Sequence, residues 1–279
     1  MFNLLLAVAS SALVSITMRL SETKVKNNIG MLCVNYLMCM FLAWGYTGFD
    51  GWFPGVQGKA LAVGLGVVNG VLYLAGFVLL QVNIRKNGVV LSSTFMKLGL
   101  LVSMVVSVIF FREQPGMLQW LGFFLAVAAI ILINYQPGTG KAESKIGLIL
   151  ALLAGGMADS MSKVFEELGN PAMADHFLLY TFLVAFIFCT LLNTATGKGR
   201  PGKGEWAYGL LIGIPNFFSA KFMLAALKTV PAVIVYPVCS VGTILVVTVA
   251  GVLLFKERLE KRQWLALAMI LVALVLLNI

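Results

Sequence analysis

Histidine occurs once in this chain, as His176, and its four cysteines, Cys33, Cys39, Cys189 and Cys239, are too widely spaced for any CxxC pairing. The first scarcity excludes a histidine-based metal cluster or proton relay. The second excludes a zinc-ribbon or thioredoxin-type centre, and leaves the cysteines as small packing residues within apolar runs. No Walker A pattern, GxSxG elbow or HExxH pair is present, so nucleotide hydrolysis within this chain and the familiar hydrolase chemistries are excluded too. Charged residues make up only 11% of the chain, against roughly 25% in soluble domains. The net charge of +9 does not point to nucleic acid, because the basic residues occupy short gaps between apolar runs and never form a stripe.

What is there is apolar. Hydrophobic residues make up 60% of the sequence and the mean hydropathy is +0.97, more apolar surface than a soluble fold can cover. Apolar runs bounded by charge or by Gly/Pro clusters fall near 2–18, 30–48, 60–82, 88–111, 117–135, 146–163, 176–195, 206–227, 231–255 and 263–279. Runs of about 20 apolar residues span a bilayer as helices, since only closed backbone hydrogen bonding survives there. The first run lacks a basic leader and a cleavage site, and is read as a span rather than a signal peptide.

Sliding the chain by 144 positions exposes an internal repeat without a gap. Phe111-Arg112-Glu113 meets Phe255-Lys256-Glu257, and Gln119-Trp120-Leu121 meets Gln263-Trp264-Leu265. Asn134 meets Asn278, Arg19 and Glu22 meet Lys163 and Glu166, and Gly88-Val89 meets Ala232-Val233. The repeats cover residues 1–137 and 144–279 with five runs each. An odd number of spans starts the second half on the opposite side of the membrane, so the repeats are expected to be inverted. Inverted repeats are a recurrent plan of secondary transporters, with the solute near the midplane.

The repeat unit, an apolar helix ending in Phe-Arg-Glu or Phe-Lys-Glu followed by Gln-Trp-Leu opening the next, resembles the EamA-type repeat of the drug/metabolite transporter superfamily. The resemblance spans essentially the whole chain and includes Ala226-Leu227-Lys228 before Pro231-Ala232, and Tyr236-Pro237. It implies an all-α membrane protein of ten transmembrane helices, a carrier built as two five-helix repeats. It also implies termini in the cytoplasm, whereas loop charge argues the reverse. Arg19, Lys24, Lys26, Arg85, Lys86, Lys141, Lys145, Lys198, Arg200, Lys203, Lys256, Arg258, Lys261 and Arg262 lie on one face, against Lys59, Arg112, Lys163 and Lys228 on the other, and the richer face is cytoplasmic by the positive-inside rule, with both termini outside. Small multidrug relatives exchange protons through a glutamate in the first helix. Here residues 2–18 contain no acid, and Ser10, Ser11 and Ser15 stand there instead.

Charge at membrane depth is costly and marks pathways or partners. Lys97 lies midway along its run, about 14 Å from the nearer end, and is the leading solute-binding candidate; a structural pair or a water-filled crevice is the alternative. Lys221 is the second, with Asn216 on the same run and Pro215 able to open that helix or merely to kink it. Asp159 is a proton site, a counter-ion for Lys97, or half of a self-neutralised pair with Lys163 one turn on. Asn69, Ser93 with Ser92 and Thr94, and Tyr236 are further candidates to line the cavity, or else interhelical glue and an interfacial aromatic. Gly66 with Gly70, and Gly155 with Gly156, read as close-approach faces, and Glu113 and Glu257 as solvated caps or loop ion pairs.

The function expected is secondary transport of a small polar metabolite, anionic or zwitterionic, across the cell membrane by alternating access. A membrane-embedded lipid-modifying enzyme or a lipid flippase is the alternative. No cofactor and no metal are expected. The partners are a small-molecule solute, the lipid bilayer and, at most, a second copy in a homodimer.

Overall fold

The computed structural model describes residues 1–22, 24–49, 54–87, 89–134, 145–197, 199–256 and 260–279. Among them there is no strand. The helices are α1 (Phe2–Ser21), α2 (Asn28–Tyr46), α3 (Lys59–Asn87), α4 (Val89–Lys97), α5 (Leu100–Phe110), α6 (Met117–Asn134), α7 (Lys145–Leu168), α8 (Ala174–Ala195), α9 (Lys203–Leu227), α10 (Ala232–Phe255) and α11 (Lys261–Leu277), with a 3₁₀ turn at Pro171–Met173 before α8. Seven of the described helices are long and apolar enough to cross a bilayer, and two shorter apolar stretches, Thr94–Phe110 and Met117–Ile133, join them. The all-helical, many-span character expected from composition is therefore present, while the count of ten is not fixed.

The main departure from expectation lies in the fourth run. Residues 88–111 are not one helix: α4 stops at Lys97 and α5 begins at Leu100. Across the junction the amides of Gly99, Leu101 and Val102 each turn to the third carbonyl back, at 3.1, 3.0 and 2.9 Å. This 3₁₀-like tightening passes over the carbonyls of Phe95 and Lys97, the geometry that marks hinges and polar sites in helices. Gly99 keeps right-handed torsions of −51° and −26°, so the chain is interrupted without reversing.

The helices assemble into two compact units, each drawing on both halves of the sequence. One comprises Ala75–Ser160 and Thr229–Ile279 with Met1; the other comprises Phe2–Leu74 and Met161–Lys228. In the first, α6 packs on α11 and α10 on α5. Gly122 there lies so close that an added Cβ would stand 3.0 Å from the side chains of Leu276 and Leu277. In the second, α2 packs against α8 and α9, and α1 against α9. The expected Gly66 and Gly70 face is realised against α8, where a Cβ on Gly70 would stand 2.5 Å from the Thr181 carbonyl. Such contacts substitute backbone approach and van der Waals packing for the hydrophobic drive that lipid cannot supply.

Candidate functional site

In the first unit the broken helix is pressed against α7. A Cβ on Gly156 would lie 2.3 Å from the Gly99 carbonyl, and one on Gly155 would lie 2.8 Å from the Met96 sulfur. The Gly156 carbonyl also accepts the hydroxyls of Ser103 and Ser160, at 3.0 and 2.7 Å. The glycine pair of α7 thus permits the approach that the sequence suggested, and what it receives is the Met96–Gly99 junction. This brings Lys97, the last residue of α4, within electrostatic range of Asp159 on α7. The Cys239 thiol on α10 falls within range of both. Ammonium and carboxylate do not close into a contact ion pair of 4 Å or less.

Tyr236 completes this neighbourhood from α10. It is buried, and its hydroxyl donates to the Asp159 main-chain carbonyl at 2.8 Å. Tyr236 is therefore not an exposed aromatic: its ring sits in the core and its hydroxyl holds the backbone of α7 at the acid. The entry of α10 is held in turn by Glu113, whose two carboxylate oxygens accept the amides of Ala232 and Val233 at 3.0 and 2.9 Å. The expectation of a solvated cap is corrected. Glu113 caps a helix remote in sequence, where the open amides and the positive end of the dipole favour an anion.

The pairing of Asp159 with Lys163 is also corrected. Lys163 is buried and reaches along its own helix to Glu166 and Glu167, which leaves Asp159 in the company of Lys97. Ser92 and Thr94 are buried beside the junction, while the Ser93 side chain lies outside the described residues.

The other candidates belong to the second unit. Lys221 bonds Asp175 Oδ1 at 2.6 Å and stands 3.7 Å above the Tyr46 ring. Neither partner was anticipated. Asp175 sits one residue before the apolar run 176–195, in the first turn of α8. Asn216 donates to Asn35 Oδ1 at 3.2 Å. Asn69 donates to the Thr181 hydroxyl at 3.3 Å, and its own Oδ1 is buried without a partner. Both amides tie helices together as interhelical glue does. Pro215 does not open α9, which runs without interruption through it. Of the first-helix hydroxyls, Ser11 meets Ser219 at 2.6 Å and Ser15 returns to the Ser11 carbonyl. Ser10 and Thr17 line a largely apolar cavity of about 400 Å³ between α1 and α9.

A broken helix bearing a lysine, an acid on the neighbouring span and repeated turns in the two halves are features of a carrier, and the comparison with known families decides which. The EamA-like transporter family matches residues 1–135 and again residues 145–279. The chain belongs to the EamA-like transporter family. It is thus a multi-pass integral membrane protein of the drug/metabolite transporter type. An uncharacterized protein of Haemophilus influenzae is 22% identical over 281 residues, covering 96% of this chain and 94% of that one. A solved crystal structure at 10% identity superposes with a TM-score of 0.79 over 99% of this chain and 94% of its own. At that identity the likeness concerns the fold alone.

Proposed function

We propose that this EamA-family member is a secondary transporter that moves a small polar metabolite across the plasma membrane by alternating access between inverted repeats. The observation that supports this reading most is Lys97, placed at the α4–α5 interruption and facing Asp159 in charge without contact. A lysine at a helix centre costs about 2.5–3.5 kcal/mol to insert, and nothing in a passive bundle repays that cost. An ammonium and a carboxylate held apart can each receive the opposite charge of one solute.

Two lysines against a single acid would favour an anion. Asp175 balances Lys221, so both lysines have an acid in their own unit, and a zwitterion is the better match within the anionic or zwitterionic class. Tyr236 supplies rigidity beneath the acid, and the buried hydroxyls of Ser92 and Thr94 belong to the same stretch of α4. Lys221, Asn216 and Asn69 are the polar candidates of the second unit, as solute contacts or as structural supports there.

The test is a thermal-shift screen of purified protein against amino acids, organic acids, sugars and sugar phosphates, followed by counterflow of the best binder in proteoliposomes. A specific ligand raises the melting temperature by mass action. Lys97→Gln and Asp159→Asn should each lower flux at least about tenfold, the equivalent of roughly 1.4 kcal/mol, while the proteins stay folded. Full flux in either variant removes the site assignment. A lipophilic cation as the best ligand removes the charge reading alone.

A further inference from the structure

The linear spacing of the cysteines conceals a pair. Cys33 on α2 and Cys189 on α8 are free thiols buried in the second unit. The Cys33 S–H donates to the Cys189 sulfur at 3.3 Å, and the Cys189 S–H turns to the Ile29 carbonyl at 3.6 Å. The same two helices are tied farther along. Asn27, the N-cap of α2, donates to the Asn193 side chain of α8 at 2.9 Å, and Glu205 of α9 steadies the same end of α2 by accepting the amides of Lys26 and Asn27, each at 3.0 Å. The sulfurs are therefore held facing each other by contacts that do not involve them. We infer that Cys33 and Cys189 form an oxidisable dithiol, which a hydroperoxide converts into a disulfide stapling α2 to α8.

The approach required is about 1.3 Å, from the observed separation to a bond of about 2.05 Å, within reach of side-chain rotation. The chemistry balances with one hydroperoxide. The sulfur of Cys33, a residue 7% exposed against 0% for Cys189, attacks an oxygen of hydrogen peroxide. The O–O bond breaks, Cys33 becomes a sulfenic acid, and the departing hydroxide takes up the thiol proton as water. The Cys189 sulfur then attacks the sulfenic sulfur, the S–O bond breaks, and a second water leaves with the Cys189 proton. Two thiols lose two electrons and the peroxide gains them. Cys39 is engaged differently, giving its S–H to the Gly213 carbonyl at 3.3 Å. The inference is independent of the solute site.

The full-length protein in detergent is treated with hydrogen peroxide, alkylated and mapped by mass spectrometry. The expected result is loss of two of the four thiols, one linked peptide pair joining Cys33 to Cys189, and a rise in melting temperature of roughly 5–10 °C that dithiothreitol reverses. The double variant Cys39→Ser/Cys239→Ser should keep all three signatures, and Cys33→Ser should lose them. Four free thiols after treatment, over-oxidation of one cysteine without a link, or a link to another cysteine overturns the inference. If Cys33→Ser does not fold, the peptide map of the unaltered protein decides.

Discussion

Arg112 and Lys256, which occupy matching places in the two halves of the chain, share a left-handed backbone, with φ of 54° and 53°. Non-glycine residues adopt this region at a cost of roughly 1–3 kcal/mol, and these two do so at the same step of the same motif. The turn explains why Phe-Arg-Glu and Phe-Lys-Glu recur. A left-handed residue ends one helix and redirects the chain, and after Arg112 the next side chain, Glu113, reaches the amides that open α10.

Glu113→Ala should therefore destabilise the protein by about 1–3 kcal/mol, because two amides lose a charged acceptor. Glu113→Gln, which keeps one carbonyl oxygen, should fall between that variant and the unaltered protein. Thermal unfolding in detergent reads both. Equal stability of all three proteins would mean that the cap contributes nothing.

Glycine substitutions should separate by position. Gly156→Ala places a methyl group 2.3 Å from the Gly99 carbonyl, and is expected to cost about 1–3 kcal/mol by overpacking. Gly64→Ala meets nothing within 4 Å and lies inside α3, so it should be neutral or stabilising by up to about 1 kcal/mol. A larger loss at Gly64 than at Gly156 would contradict the packing described for α7.

The Lys221–Asp175 bridge has side chains 25% and 33% exposed, which places it between a surface pair and a buried one. A double-mutant cycle with Lys221→Met and Asp175→Asn should return a coupling of about 1 kcal/mol. Lys221→Met should cost somewhat more than Asp175→Asn, since it also removes the ammonium from the Tyr46 ring. A coupling indistinguishable from zero would make the bridge incidental.

Topology can be read with two single cysteines placed on either side of α9. Loop charge puts Arg200 in the cytoplasm and Lys228 outside. An impermeant maleimide applied to intact cells should thus label Lys228→Cys and spare Arg200→Cys. The reverse pattern gives the orientation that the family resemblance implies. Labelling of both, or of neither, would deny that α9 crosses the membrane.

Most helices and the repeat were legible in the sequence, because apolar runs of spanning length and a gapless match need no knowledge of contacts. Lys97 and Asp159 were legible as costly charges. The interruption after Lys97 was not. Leu98-Gly99 offers no proline, and one glycine in an apolar run does not announce a break; what makes it one is the approach of Gly156 from α7. Asp175 escaped because apolarity marks where a run begins, whereas helix geometry includes the polar first turn. The partners of Lys163, Glu113 and the paired cysteines were hidden for a related reason. Each depends on which side chains the folded chain brings within reach, and local spacing offered a different, equally reasonable choice.

Tyr236 grips Asp159 by its main-chain carbonyl, an atom that every amino acid carries. The anchor is therefore indifferent to the side chain at position 159. A codon change there to asparagine, glutamate or serine would leave the hydroxyl bond in place while altering the side chain within electrostatic range of Lys97. The chemistry displayed at this position can drift, or be re-engineered, one substitution at a time without loosening the helix that displays it.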